Sequence, residues 1–260
     1  MTTIYLCIGG NSRVVQRTLD TDGCPPMHLL ASYYCMKGVK LIAPAGGKAV
    51  AGRGATDHLR IIEHPRCASW VLDCGAFSAM NEGMQIDIDA YIDYCLRLRE
   101  HPKPPVDVFA LDVIGDWRAT EKNFEKMLAA GVKCIPTFHR HSPVAQLDHL
   151  ASTCDKVAFG GIAGWRGKAR VEYVQRMLAR VWPKKVHGFG ITATDVLFGA
   201  PLHSSDSTSW VVGPVQGNWA IYRSQINPMY KHGDLVPVVK HFHDLERRVQ
   251  AKWNEELAKL

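Results

Sequence analysis

Apolar, β-favouring runs alternate with amphipathic stretches along most of this chain. Short apolar runs at residues 4–8, 39–43, 70–72, 106–111, 133–137, 156–159, 185–189 and 202–205 read as strands, each bounded by turn-forming residues. Between them, apolar residues at helical spacing predict helices over 26–36, 87–100, 120–130, 144–153 and 169–181, a short one near 193–198, and a helical tail from 235. Gly38 and Gly131 stand where helix C-termini stop, and Pro102 and Pro183 follow helix ends that they cannot extend. Residues 44–60, rich in Gly and carrying Lys48, Arg53 and Arg60, read as a long mobile loop.

Eight strands with helices in most of the gaps predict a (β/α)8 barrel, and the length of 260 residues suits one. A doubly wound open sheet is the alternative built from the same alternation. No linker, repeat or low-complexity tract divides the chain, so residues 1–260 are read as one barrel domain with a C-terminal helical tail.

Composition changes this picture little. Apolar residues make up 47% and charged residues 22%, as in ordinary globular domains. Thirty-one Lys and Arg against twenty-five Asp and Glu leave +6, which suits a polyanionic partner without demanding one. The eight cysteines form no CxxC pair and several sit in apolar runs, where a reduced thiol packs as a small hydrophobe. With no basic-then-apolar leader and no run long enough to span a bilayer, a reducing cytoplasm is the expected compartment. His232, His241 and His243 have no cysteine near them, and no metal is expected there.

The chemistry-bearing residues collect at strand ends. Asp73, Asp112, His139, Gly160-Gly161, Gly190 and Asp206 follow the third to eighth predicted strands in turn. In a barrel those ends converge on one face, where active sites lie. The last of them sits in His203-Ser204-Ser205-Asp206-Ser207-Thr208-Ser209-Trp210, one carboxylate among small hydroxyl residues that can hold its charge. Taken singly, each has a plainer reading: Asp73 and Asp112 as helix N-caps, Ser205-Asp206-Ser207 as a turn, the glycines as tight bends. Six such residues at six successive strand ends are more than turn formation supplies.

Several segments together carry a resemblance: Leu72-Asp73-Cys74-Gly75-Ala76-Phe77, Ala110-Leu111-Asp112, Phe159-Gly160-Gly161-Ile162-Ala163-Gly164, Gly188-Phe189-Gly190-Ile191 and Ser205-Asp206-Ser207. In this order they resemble the signature segments of the guanine transglycosylases, barrel enzymes that insert queuine precursors into tRNA. The Ser-Asp-Ser-x-x-Trp form and the short chain are more similar to the phage-type members, which exchange guanine in DNA for a 7-deazaguanine.

The resemblance implies roles for individual residues. Asp206 falls where the family has its nucleophile, Asp73 where it has its general acid/base, and Asp112 where a carboxylate reads the guanine edge. Phe77 and Phe189 match the side chains that sandwich the base, and Gly160, Gly161 and Gly190 match backbone lining the pocket. His139 falls near a glutamine that binds the base carbonyl, a departure from the pattern. A second departure is metal: the tRNA enzymes carry a Cys-x-Cys-x-x-Cys and a His after the nucleophile, whereas the last cysteine here is Cys154. DNA and a free 7-deazaguanine base are therefore the implied partners, with no cofactor and no metal. Lys48, Arg53, Arg166, Lys168 and Arg170 are candidate contacts to the DNA backbone. The alternatives are the same exchange on tRNA and a non-catalytic subunit of a base-modification complex. A barrel lyase or aldolase would want a strand-end Lys or a metal cluster, and neither is evident in the sequence.

Overall fold

The computed structural model describes residues 2–42, 49–53, 58–162, 164–211 and 234–259. Eight strands form one parallel sheet: β1 (Thr3–Cys7), β2 (Met27–Ser32), β5 (Cys67–Asp73), β7 (Asp107–Val108), β8 (Thr137–His139), β9 (Lys156–Gly160), β10 (Lys185–Gly188) and β11 (Ser204–Ser207). β1 lies between β2 and β11, and the sheet's two ends, β7 and β8, meet. There Phe109 and Ile135 bridge in parallel, Ile135 N–H donates to the Val108 carbonyl at 2.8 Å, and Ala110 N–H donates to the Ile135 carbonyl at 2.9 Å. The ring closes as a (β/α)8 barrel.

Helices fill the crossovers: α1 (Ser12–Asp20), α2 (His58–Glu63), α3 (Ala76–Asn81), α4 (Ile88–Arg97), α5 (Trp117–Ala129), α6 (Val144–Thr153), α7 (Lys168–Val181), α8 (Thr194–Leu197) and the terminal α9 (Val236–Leu257). A small antiparallel sheet of β3 (Lys37–Ile42), β4 (Ala49–Arg53) and β6 (Gln85–Ile86) stands outside the ring. Asp87 and Asp116 are the carboxylates that cap helices here, each accepting two backbone N–H groups at the start of α4 and α5. Asp73 and Asp112 do not cap, which removes the plainer reading of both.

The second barrel strand differs from expectation. Residues 26–36, expected as a helix, hold β2 and a 3₁₀ turn at Tyr33–Cys35, while the expected strand at 39–43 belongs to β3 of the outer sheet. Barrel strands are buried on both faces and read as continuous apolar runs, so the Leu-Leu-Ala core of β2 carried no period-2 signal. Its lack of β-branched residues favoured helix by propensity, which tertiary burial overrode. The expected loop at 44–60 contains β4 and the start of α2, and residues 43–48 and 54–57 lie outside the described residues.

Two layers of apolar packing result. One large cluster lies between ring and helices; a smaller one of Tyr5, Cys7, Leu30, Val71, Phe109, Ile135 and Ala158 fills the barrel. The N-terminal end of the barrel is stopped by α9, whose buried Glu246 accepts from Ile4 N–H at 2.7 Å. Lys156, at that same end, is paired with Asp107 at 2.6 Å, far from the C-terminal mouth.

Gly75, the first turn after β5, has φ +82°, and a Cβ there would stand 2.3 Å from Ser32 Oγ and 2.5 Å from Tyr34 Cβ. Gly75→Ala therefore combines left-handed strain with a clash against fixed backbone neighbours, and lowers stability by at least about 2 kcal/mol. Thermal denaturation should show a Tm lower by roughly 5 °C or more; an unchanged Tm would mean that this bend is not rigid.

Candidate active site

The Ser-Asp-Ser segment is strand rather than turn. Ser204 to Ser207 form β11 and all four are buried. Side chains alternate across a strand, so Asp206 faces the barrel interior together with Ser204, while Ser205 and Ser207 face away. The serines flanking Asp206 consequently do not hold its charge, contrary to the expectation from sequence: Ser205 Oγ is buried without a partner, and Ser207 pairs with Ser209. Three other donors reach the carboxylate. Gly190 N–H donates to Oδ1 at 2.9 Å, His187 Nε2 lies 3.2 Å from the same oxygen, and Cys7 Sγ donates to Oδ2 at 3.1 Å. Among the described residues Oδ1 is thus held by two nitrogens, and Oδ2 only by a thiol, a weak donor that leaves more charge on that oxygen.

His187 carried no signal in the sequence beyond its place in an apolar run. Its Nδ1 meets Ser204 Oγ at 2.9 Å, so both ring nitrogens have a partner, Ser204 on one side and Asp206 on the other. The ring is clamped by Phe109 and Phe189, with centroids at 4.6 and 4.7 Å. Gly190, at φ +65°, turns the chain so that its N–H points back at Asp206. Trp210, the last residue of the Ser-Asp-Ser-x-x-Trp segment, is fully buried, and its Nε1 donates to the Cys7 carbonyl at 2.9 Å, fixing the end of β1.

Asp73 ends β5, and its Oδ2 accepts from Gly75 N–H at 2.9 Å. Burial pushes its carboxyl up to about 7; the nearby Asp206 charge adds to the rise, Asp112 adds less, and the Gly75 N–H opposes it. Asp112 follows β7, with Thr120 Oγ1 donating to Oδ1 at 2.8 Å and His139 Nε2 lying 2.8 and 2.7 Å from its two oxygens. His139 is therefore a partner of Asp112 rather than a free donor for a base carbonyl. Gly160 makes room for it, since a Cβ there would stand 2.9 Å from the imidazole. Gly161, at φ +73°, turns the chain out of β9.

The aromatic pair is split. Phe189 packs on Phe109 at 4.6 Å in the mouth, whereas Phe77, on α3, is 65% exposed at the rim and has no ring contact among the described residues. The basic candidates divide as well. Arg166 and Lys168 are exposed, Lys168 paired with Glu172 at 3.3 Å. Arg170 is buried, donating to Asp195 at 2.6 Å and to the Trp165 carbonyl at 2.8 Å, so its guanidinium braces a loop rather than facing a ligand. Arg53 ends β4, and Lys48 lies outside the described residues, as does His232.

Among solved structures the chain is similar to (β/α)8 barrels. A protein described as a fructose-1,6-biphosphate aldolase from Coccidioides immitis superimposes with a TM-score of 0.54 at 9% identity, covering 98% of this chain and 92% of the other. Tryptophan synthase alpha-subunits from Pyrococcus furiosus superimpose with TM-scores of 0.53 and 0.51 at 13% and 11% identity, covering 94% of this chain and 97% and 96% of theirs. This likeness is one of fold. Neither a protein-family model nor a curated protein matches the chain. Among the described residues no helix is long and apolar enough to cross a membrane.

Chemically, the mouth holds two carboxylates in unlike surroundings: Asp206, buried and reached by three donors, and Asp73, poised to hold or release a proton near neutrality. A carboxyl raised in the folded state takes up a proton on folding between about pH 4 and 7, so the stability it contributes falls with rising pH over that window and stays low above it. Asp73→Asn removes the buried charge while its side-chain oxygen still accepts from Gly75. The variant's Tm advantage over the parent should therefore grow from pH 5 to pH 8; a shrinking advantage would show that Asp73 is not desolvated.

Proposed function

We propose that the chain is a guanine transglycosylase that exchanges guanine in DNA for a 7-deazaguanine, such as 7-cyano-7-deazaguanine. The observation that carries the reading is the pairing, at one barrel mouth, of a carboxylate held by three donors with a protonatable one of pKa about 7. Base exchange with retained configuration needs a nucleophile and an acid/base on the same site, the arrangement of retaining glycosidases. The ordered set of segments resembling the guanine transglycosylases names the substrate class.

In this mechanism the target deoxyguanosine leaves the base stack and enters the mouth. Asp206 Oδ2, the less tightly held oxygen, attacks C1′; the C1′–N9 bond breaks, and guanine departs with the proton of Asp73. The sugar is then esterified to Asp206 and Asp73 is ionised. The incoming 7-deazaguanine gives its N9 proton to Asp73 and attacks C1′, the ester bond breaks, and Asp206 returns to its carboxylate. His187 and the Gly190 N–H keep Oδ1 in place through both steps. Asp112 retains lone pairs beyond those used by Thr120 and His139, enough to accept from guanine N1–H and the 2-amino group. His139 then acts through Asp112, holding it oriented, and Phe189 forms one wall for the base. The absence of cysteines after Cys154 in the sequence supports DNA over tRNA, because the tRNA enzymes of the family carry a zinc site there.

Incubating the protein with labelled guanine and either DNA or tRNA tests the reading directly. Label should enter DNA with the parent chain and fall to background with Asp206→Ala. Label entering tRNA alone would move the polymer, and undiminished exchange by the variant would remove Asp206 as nucleophile. Because Asp73 must be protonated as guanine departs, the exchange rate should fall as pH rises through about 7. A rate that climbs through that range would reverse the assignment of the acid.

A further inference from the structure

A second polar site lies beside the mouth, outside the carboxylate pair. A cavity of about 380 Å³ opens between α6 and α7, its lining including Phe138, Arg140, Ser142, Tyr173, Arg176 and Arg180. Three polar atoms on these side chains are buried with no partner: Arg140 Nε, Ser142 Oγ and Tyr173 Oη. Ser142 is 8% exposed and Tyr173 9%, so water does not freely solvate the unpaired hydroxyls. Unsatisfied buried donors each cost about 1–3 kcal/mol and are rare in folded proteins. Three at one cavity mark a place where something else completes the bonding.

The charge around them is one-sided. Arg180 is committed to Asp148 through two bonds at 2.5 and 2.6 Å. Glu172 and Asp195, the other carboxylates on or against α7, are taken by Lys168 and Arg170. Among the described residues no carboxylate pairs with Arg140 or Arg176. The Arg140 guanidinium carbon lies over the Trp165 ring at 4.2 Å from its centroid, with its terminal nitrogen on His141 Nε2 at 2.7 Å, and that of Arg176 lies over the Tyr173 ring at 5.9 Å. Two stacked guanidinium groups and two spare hydroxyls offer donors from several directions to one point. That set fits a tetrahedral oxyanion better than a planar carboxylate.

We propose that this pocket binds a phosphate group and, resting on the reading that the chain acts on DNA, that the phosphate is a backbone phosphodiester beside the extruded nucleotide. Arg140 and Ser142 follow β8 directly after His139, so a phosphate held there lies next to the residues that grip Asp112. The base enters the barrel while the strand is anchored on the outer wall.

The test uses the full chain carrying Asp206→Ala, so that binding is read without turnover, together with Arg176→Gln, Tyr173→Phe and Ser142→Ala. Two probes are titrated: inorganic phosphate, read as a thermal shift against chloride at equal ionic strength, and a single-stranded oligodeoxynucleotide, read by fluorescence anisotropy across salt concentrations. Arg176→Gln should weaken oligonucleotide binding about tenfold, as loss of a charge-assisted bond does. It should also make the slope of log K against log salt shallower by about 0.7, the contribution of one phosphate on a single strand. Tyr173→Phe and Ser142→Ala should weaken binding yet leave the ligand-free Tm equal or higher, because each removes an unpaired hydroxyl. A merely structural role would lower that Tm instead. Unchanged affinity and slope in all three variants, with a phosphate shift equal to the parent's, overturns the site. Variant-sensitive phosphate binding with unchanged oligonucleotide affinity overturns its assignment to the polymer. If the variants weaken both probes while the chain with Asp206 intact exchanges no guanine, the phosphate site stands and the transglycosylase reading fails.

Discussion

The structure depends on one constraint: a carboxylate turned into the interior of a parallel barrel must be hydrogen-bonded there or lose its charge. Asp206 meets it with donors from separate parts of the chain, the Cys7 thiol at the end of β1, the His187 ring of β10 and the Gly190 N–H after it. These contacts cross the strands on either side of β11, so the same bonds that hold the Asp206 carboxylate in place also tie together the strands of the ring where it opens. Buried Ser204 completes the arrangement by holding the other ring nitrogen of His187. The field of that fixed anion then acts on Asp73 across the mouth and, together with burial, keeps its proton on to about pH 7. One ionised group thereby helps set the protonation of the other.

The barrel was legible in the sequence because strand and helix segments alternate, and most expected helices lie within a few residues of the observed ones; residues 144–153 coincide with α6. What the pattern could not reveal were elements without a period. β2 is apolar on both faces and was mistaken for a helix, while α1, a polar helix burying only Ser12, Val15, Thr18 and Leu19, left too thin a stripe to be noticed. The count of eight strands was right, but its second member was drawn from the outer sheet.

The site was legible in part for a related reason. Residues at strand ends are easily listed, and Asp73, Asp112, His139, Gly190 and Asp206 do gather at the mouth. Which of them touch is decided by alternation along each strand, and an error of one residue in a boundary reverses it. That is why Ser205 and Ser207 were read as holders of Asp206 and His187 was passed over, although Ser204 and His187 share the interior face with it. The pairing of His139 with Asp112 depends on Gly160, whose role is to be absent: any side chain there would strike the imidazole. A glycine pair in a sequence suggests a turn, and it cannot say which neighbour needs the space.

Around the mouth, polar groups are placed where folding alone would not put them. Burial and the neighbouring Asp206 raise the Asp73 carboxyl, and among the described residues the Ser205 hydroxyl, and a short way along the wall Arg140 Nε and the hydroxyls of Ser142 and Tyr173, are buried without partners. The N-terminal end of the same barrel behaves differently: Lys156 answers Asp107, Glu246 takes Ile4 N–H, and His28 meets Ser69. On the proposed reading the contrast arises because stability governs one end and the other is shaped around a substrate. A ligand that brings acceptors to Arg140 and Tyr173, and a proton partner to Asp73, would relieve these unpaired groups together, and its binding would stabilise the fold by that relief.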